Sequence, residues 1–142
     1  MKRILFLCTG NSCRSQMAEG WGKHLLGNQF LFFSAGTKKH GLNPIAVKVM
    51  KEVGVDISNH ESNTLSEITP DLDLIITVCS DADQNCPFVP GAKIIHRGFE
   101  DPPRLASKLK SDEDVLVVYR RVRDEIKEMV LSLPELMKKE LK

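Results

Sequence analysis

The chain is 142 residues long, with 42% hydrophobic and 27% charged residues and a net charge of +1 at pH 7. These values exclude a disordered chain and are typical of one globular domain, so we expect residues 1–142 to fold as a single domain. A net charge this close to zero argues against nucleic-acid binding, and no apolar run approaches the roughly 18 residues of a membrane span. Four cysteines are too few for a disulfide scaffold, and the apolar run Ile4 to Cys8 is too short for a secretory leader. We therefore expect a cytoplasmic protein whose thiols are reduced.

Short apolar runs alternate with helical patterns along the chain. The apolar runs predict four strands, at residues 2–8, 29–34, 72–78 and 92–96. Strands that alternate with helices imply crossover connections, so the sequence predicts an α/β fold with an open parallel four-stranded sheet and helices on both faces.

Three helices are predicted from apolar residues at helical spacing. The first covers residues 15–26 and is followed by Gly27, which suits a left-handed cap. The second starts at Asn43-Pro44 and has its last core-facing residue at Val53. Residues 55–70 show no clear periodicity and are predicted to form a loop. A long third helix starts after Ser111, and Pro134 ends or kinks it.

Residues 8–15, CTGNSCRS, lie between the first strand and the first helix, at the sheet edge where open α/β folds bind ligands. A tight loop that leads into a helix points backbone N–H groups inward and forms a cradle for a tetrahedral oxyanion. Gly10 permits the turn, and the fork of Arg14 can bind two oxygens of the anion. The same environment favours a nucleophilic thiolate at Cys8. The residues expected to bind the oxyanion are Thr9, Gly10, Asn11, Ser12, Cys13, Arg14 and Ser15.

The four cysteines differ in their expected roles. Cys8 is predicted to be the nucleophile, although its position alone leaves open a buried, unreactive thiol, whereas Cys13 is expected to pack under the loop. Cys79 and Cys86 follow the third strand and reach the same sheet edge, and their spacing does not suit a zinc site. Three thiols at one edge suggest a relay in which each thiolate attacks the previous sulfur. If residues 79–86 were helical, the two Cα atoms would lie about 10 Å apart, beyond the roughly 7 Å limit of a disulfide, so we expect that segment to rearrange on oxidation.

Asp101 lies in a stiff loop after the fourth strand, again at the predicted functional edge. With an anion cradle nearby, its carboxyl can act as general acid for a leaving oxygen, with Glu100 as the rival and a solvated turn residue as the alternative. The histidines are expected in surface or packing roles, and they are His24, His40, His60 and His96.

Several distinctive runs are spread over nearly the whole chain. They are CTGNSCRSQMAEGWGK from Cys8, SAG from Ser34, HGLNP from His40, SNH from Ser58, CSDADQNCP from Cys79, GFEDP from Gly98 and RVRDEIK from Arg121. Together these runs closely resemble the sequences of thioredoxin-coupled arsenate reductases. That family is similar in fold to low-molecular-weight protein tyrosine phosphatases and shares with them the Cys, five residues, Arg-Ser loop and the Asp-Pro acid. The cysteine pair after the third strand separates the two groups.

The resemblance implies a reaction and a role for each thiol. Cys8 would attack arsenate while Arg14, Ser15 and the loop amides hold the oxyanion and Asp101 protonates the departing oxygen. Cys79 would then release arsenite by forming a Cys8–Cys79 disulfide, and Cys86 would resolve it as a Cys79–Cys86 disulfide that thioredoxin reduces. The implied role is arsenic detoxification by a monomer without a tightly bound cofactor.

The sequence also departs from the family pattern. Some family members bind potassium beneath the anion loop, and Asn11, Glu19 and Ser34 match that site, whereas Glu61 and Asn63 replace the usual Thr and Asp.

Two other functions remain open at this point. A phosphatase acting on phosphotyrosine or small phosphoesters is the first alternative, although Gln16 stands where those enzymes tend to have proline or a small residue. They also usually have an aromatic residue where Pro103 follows the Asp-Pro pair. The second alternative is an oxyanion-binding regulator or redox sensor that forms disulfides without turnover.

Overall fold

The computed structural model describes residues 1–68, 71–79 and 93–140. Its four strands are β1 (Lys2–Cys8), β2 (Phe30–Gly36), β3 (Leu74–Thr77) and β4 (Lys93–His96). Neighbouring strands run parallel in the order β2-β1-β3-β4, which confirms the predicted sheet. The order places β1 in the middle, with β2 on one side and β3 on the other.

Five α-helices and one short 3-10 helix accompany the sheet in the described part of the chain. They are α1 (Arg14–Leu26), α2 (Pro44–Glu52), the 3-10 helix Leu65–Glu67, α3 (Pro102–Ala106), α4 (Asp112–Leu131) and α5 (Leu133–Glu140). None of these helices is long and apolar enough to cross a membrane.

Two of the five described α-helices begin at a residue whose side chain caps them. The side chain of Asn43 accepts hydrogen bonds from two backbone N–H groups of α2, and Ser111 accepts one from Asp114 of α4, as predicted. The prediction for Gly27 is wrong, because this residue is right-handed with φ −64°. It needs to be glycine for a different reason, since a Cβ there would overlap the carbonyl oxygen of Lys23. A left-handed glycine instead follows α2, at Gly54 with φ +80°.

Both faces of the central strands are buried, which explains their continuous apolar runs. Ile4 and Phe6 of β1 belong to a core built with residues of α1, α2, α4 and α5. Leu5 and Leu7 point to the opposite face, where residues of the 3-10 helix and its surroundings pack against them. The carboxyl ends of β1 and β3 therefore emerge side by side from a rigid core.

The last third of the chain contains two helices that were not predicted. Pro102 and Pro103 begin α3 instead of stiffening a loop, since proline suits the first turn of a helix, where its missing N–H costs nothing. Pro134 has the same place in α5, which follows directly after α4 ends at Leu131. Leu133 and Met137 of α5 are buried, so the C-terminal tail is part of the core.

Candidate active site

Two cysteines meet where β1 and β3 end. Cys8 is the last residue of β1, and Cys79 lies just beyond β3. The two strand ends are joined by a hydrogen bond from the Val78 N–H to the Leu7 carbonyl at 2.9 Å. Both cysteines are buried, and Cys79 Sγ lies 4.0 Å from the hydroxyl of Thr9, the residue next to Cys8. The sequence placed Cys79 near Cys8 only if these strands were neighbours, which they are, whereas Cys86 lies outside the described residues.

The loop that follows Cys8 has its carbonyl groups tied outward. The carbonyls of residues 9–12 all accept hydrogen bonds from groups behind the loop. The donors are the Thr37 and Lys38 N–H groups for Thr9 (2.9 and 3.1 Å), the His40 N–H for Gly10 (3.0 Å), Gln16 Nε2 for Asn11 (3.2 Å) and the Asn43 N–H for Ser12 (3.0 Å). A trans peptide unit directs its C=O and its N–H in opposite directions, and the structure has no cis peptide in its described part. The N–H groups of residues 10–13 are therefore directed away from these anchors, toward the cavity above Cys8, as a cradle for an oxyanion requires.

Asn11 has an unusual backbone conformation within the loop. It is the one non-glycine residue among those described with a left-handed backbone, at φ 48°. Its buried side chain donates to Ser15 Oγ at 2.9 Å and accepts from the Asn63 N–H at 2.6 Å. Gly10, predicted to permit the turn, is not left-handed, and its missing side chain instead makes room for the ring of His40. The side chains of Asn11 and Ser15 thus brace the loop from below.

Arg14 and Asp101 stand together at the cavity. The cavity has a volume of about 390 Å³ and is lined by Cys8, Arg14 and Asp101 among others. Arg14 is only 4% exposed; its Nη1 donates to the Phe99 carbonyl at 3.0 Å, and its Nε lies 3.6 Å from Asp101 Oδ1. Glu100, the rival acid, is directed elsewhere and pairs with Arg121 at 3.2 Å. Of the two candidate acids, the structure brings Asp101 to Cys8.

The electrostatics of the site separate two of the thiols. The hydrogen bond from Cys79, assisted by the Arg14 guanidinium and the Thr9 N–H, lowers the pKa of Cys8 to about 7 against the opposing effect of burial. Burial raises the pKa of Cys13, which lies under the loop as expected. Cys8 is therefore substantially thiolate at neutral pH while Cys13 stays protonated, and of these two thiols Cys8 is the one suited to nucleophilic attack.

Sequence reasoning missed several residues of the site. His40, Asn43 and Arg104 line the cavity, although His40 was expected in a surface or packing role. Asn43 also donates to the buried hydroxyl of Tyr119 at 3.1 Å, which ties the cavity wall to α4. The run HGLNP contributes to the family resemblance, but no local pattern in it signals that it would fold over the loop.

The three residues that match a potassium site already form hydrogen bonds within the protein. Ser34 donates to Glu19 at 2.5 Å, and the ammonium group of Lys23 lies 2.5 Å from the other carboxylate oxygen of Glu19. The Asn11 side-chain oxygen accepts from the Asn63 N–H and from Gln16. This arrangement, with a lysine cation on the carboxylate, does not fit an open cage of oxygen ligands for potassium. The described residues also hold no group of three or more His, Cys, Asp or Glu side chains that could bind a metal ion.

Comparison with known proteins gives consistent relatives. Residues 3–142 match the model of the low molecular weight phosphotyrosine protein phosphatase family. Arsenate reductase 2 of Staphylococcus epidermidis is 53% identical over 133 residues, which are 92% of this chain and 95% of that protein.

Solved structures of similar proteins share the fold. One is described as an arsenate reductase in the phosphate binding state; it is 32% identical with a TM-score of 0.72, and the match covers 94% of this chain and 96% of the other. The low molecular weight protein tyrosine phosphatase from T. tengcongensis is 30% identical with a TM-score of 0.70, covering 95% of this chain and 99% of that one.

Proposed function

The chain belongs to the low molecular weight phosphotyrosine protein phosphatase family, as one of its arsenate reductases, and we propose that it reduces arsenate to arsenite through a relay of three cysteines. Cys8, Cys79 and Cys86 carry the relay, and thioredoxin returns them to the reduced state. The enzyme works in the cytoplasm, in arsenic detoxification.

The observation that carries this proposal is the placement of Cys79 beside Cys8: both thiols are buried at the ends of neighbouring strands, and Cys79 Sγ lies 4.0 Å from the Thr9 hydroxyl. A phosphatase needs one nucleophilic thiolate beneath an anion cradle, and a second thiol beside it serves no purpose in hydrolysis. A reductase must pass two electrons to its substrate, and two adjacent thiols that close into a disulfide supply them.

The first step forms a bond between sulfur and arsenic. The loop N–H groups and Arg14 hold the arsenate oxygens, and the Cys8 thiolate attacks the arsenic atom. One As–O bond breaks, and the oxygen leaves as water after Asp101 donates a proton to it. Arsenic remains As(V) in this intermediate, which is bound to the Cys8 sulfur.

The second step reduces the arsenic. The Cys79 thiolate attacks the Cys8 sulfur, so that an S–S bond forms and the S–As bond breaks. The electron pair of the broken bond stays on arsenic, which leaves as arsenite, As(III), after taking up protons from water. Two thiols have been oxidised to one disulfide, which balances the two-electron reduction.

The last steps regenerate the enzyme. The Cys86 thiolate attacks Cys79, forms a Cys79–Cys86 disulfide and releases Cys8 as a thiolate. A dithiol of thioredoxin then reduces this disulfide by the same exchange.

A weaker phosphatase activity is the alternative function. Phosphate and arsenate have the same shape and charge, the chain matches a phosphotyrosine phosphatase model, and one similar arsenate reductase has been solved in a phosphate binding state. Phosphoester hydrolysis would use Cys8, Arg14 and Asp101 but neither Cys79 nor Cys86.

The test measures arsenite formation with thioredoxin, thioredoxin reductase and NADPH, beside release of p-nitrophenol from its phosphate ester. We expect NADPH oxidation that depends on arsenate and is lost in Cys8→Ser and Cys79→Ser. Cys86→Ser should complete one turnover and stop at the Cys8–Cys79 disulfide, detectable by mass spectrometry, whereas the matched control Cys13→Ser should stay active.

The outcomes separate the three functions. Hydrolysis of the ester that survives Cys79→Ser, without any arsenite, would make the protein a phosphatase. Disulfide formation under peroxide without either activity would make it a redox sensor.

A further inference from the structure

Gln16 holds the anion-binding loop from behind. Its side chain is fully buried between the loop and residues 60–63. Its Nε2 lies 3.2 Å from the Asn11 carbonyl, 3.2 Å from Asn11 Oδ1 and 2.9 Å from the Glu61 carbonyl. The two N–H groups of the amide thus donate to three acceptors, and two of these acceptors belong to Asn11, the left-handed residue of the loop.

The other end of the amide is fixed as well. Gln16 Oε1 lies 3.0 Å from Nδ1 of His60, and because an amide oxygen only accepts, the imidazole must donate from Nδ1. Burial lowers the pKa of His60, so the neutral ring with its proton on Nδ1 supplies this donor. The amide therefore cannot rotate by 180° without placing its oxygen against the Asn11 and Glu61 carbonyls.

This anchor differs in kind from the others of the loop. The carbonyls of Thr9, Gly10 and Ser12 each accept from at least one backbone N–H, which any residue except proline supplies, and the hydroxyls of Thr37 and Ser62 add a second kind of donor to the first two. The Asn11 carbonyl receives its described hydrogen bond from a side chain, that of Gln16. Since Asn11 is left-handed, the peptide between Asn11 and Ser12 is also the one whose orientation carries a conformational cost.

We propose that Gln16 is a positioning residue that fixes the Asn11–Ser12 peptide, so that the Ser12 N–H faces the oxyanion and the Cys8 sulfur. This inference rests on the oxyanion cradle of the proposed function and adds a residue that does not touch the substrate. Without the Gln16 donors, the Asn11 carbonyl is free to turn toward the cavity, where it would repel an anion and remove one donor from the cradle.

The test uses inorganic phosphate as the probe, with affinity measured by calorimetry on the reduced protein. Gln16→Met keeps the length of the side chain without polar atoms, and Gln16→Glu places a carboxylate oxygen, a fourth acceptor, against the three acceptors that Gln16 Nε2 now binds. We expect phosphate affinity to fall about tenfold in Gln16→Met, the effect of losing one N–H donor to a charged oxygen, and further in Gln16→Glu. The pH midpoint of Cys8 alkylation by iodoacetamide should move upward in both variants, because the thiolate loses the same donor.

Trp21→Phe is the matched control. Trp21 lies on the same helix and its indole donates to the Arg123 carbonyl at 3.1 Å, far from the loop. This variant also loses a buried side-chain donor to a backbone carbonyl, so it should lower the melting temperature without changing phosphate affinity or the Cys8 midpoint.

Several results would overturn the inference. It would be refuted if both Gln16 variants bound phosphate as tightly as the wild type. It would also be refuted if Trp21→Phe, at the same decrease in melting temperature, lost as much phosphate affinity as the Gln16 variants. If the variants fail to fold, NMR on the wild-type protein tests the inference. Rapid solvent exchange of the Gln16 side-chain NH₂ would refute it, and so would a Ser12 backbone amide resonance whose chemical shift does not change when phosphate is added. A wild-type protein that does not bind phosphate at all would refute the oxyanion cradle itself, and with it the proposed function.

Discussion

Arg14 and Arg123 are both almost fully buried, at 4% and 8% exposure, yet their surroundings differ. Arg123 is enclosed by carboxylates and a carbonyl: it donates to Asp124 at 2.8 Å, to Glu52 at 3.1 Å and to the Val49 carbonyl at 2.9 Å. Arg14 lines a cavity, with the carboxylate of Asp101 at 3.6 Å. A buried cation that the chain satisfies with its own anions holds helices together, whereas one placed at a cavity is suited to an anion from outside.

Arg14→Ala tests the catalytic side of this comparison and should have the largest effect. Removing a charged donor to the oxyanion should lower the rate of arsenate reduction about 10²- to 10³-fold. The melting temperature should change little, because the side chain borders a cavity that water can enter. Single-turnover kinetics with arsenate measure the rate, and a large loss of stability with modest loss of rate would mean that Arg14 is mainly structural.

Arg123→Met tests the structural side of this comparison. The variant keeps the apolar stem but loses the hydrogen bonds between α4 and α2, and we expect the free energy of unfolding to fall by about 2 kcal/mol. Its carboxylate partners keep access to water, which limits the loss. Urea denaturation measures the change. Activity per folded molecule should equal that of the wild type. If the fully folded variant reduced arsenate more slowly, Arg123 would also contribute to activity, and the contrast with Arg14 would be wrong.

Cys79→Ala measures how much of the lowered pKa of Cys8 is due to Cys79 and how much is due to Arg14. Without the hydrogen bond from Cys79, the pKa of Cys8 should rise from about 7 toward its ordinary value of 9.0. A rise of one unit lowers the thiolate fraction at pH 7 about fivefold, and alkylation should slow by the same factor. The alkylation rate of Cys8 as a function of pH reports the midpoint, and an unchanged midpoint would assign the whole shift to Arg14 and the loop amides.

Arg120→Ala should have the smallest effect. Arg120 reaches Glu52 from solvent, with contacts at 2.8 and 2.9 Å, and exposed pairs of this kind contribute little. The hydrogen bonds from Arg120 lower the pKa of Glu52, so the pair stabilises the folded state above the ordinary Glu value of 4.5, and its contribution is lost as the pH falls below it. Thermal melts of both proteins at several pH values and salt concentrations should therefore converge in acid and in high salt. A difference that persists at acidic pH would place the effect in packing instead of charge.

The sequence was sufficient for the parts of the site that are local. Residues 8–15 follow a buried strand and enter a helix, and turn chemistry alone predicts a nest of N–H groups there. The approach of Cys79 was predicted only on the condition that the first and third strands are neighbours, and the sheet order meets this condition.

The groups that hold the loop could not be found in this way. His60 meets Gln16 across 44 positions, and Arg14 meets the Phe99 carbonyl across 85. No local spacing encodes such pairs, because they depend on how loops fold over the sheet edge after the sheet has formed. The pairing of Lys23 with Glu19 was within reach, since the two residues are four apart on one helix.

The central position of β1 has a consequence for the order in which the protein is made. β1 leaves the ribosome before its neighbour β3, so Cys79 and Asp101, two of the groups that act on Cys8, are synthesised well after it. Until Cys79 and the loop anchors are in place, Cys8 is an ordinary thiol with a pKa near 9.0, of which about 1% is ionised at neutral pH. The lowered pKa of Cys8 is thus a property of the folded protein, because it arises only after β3 has packed beside β1 and brought Cys79 to the end of that strand.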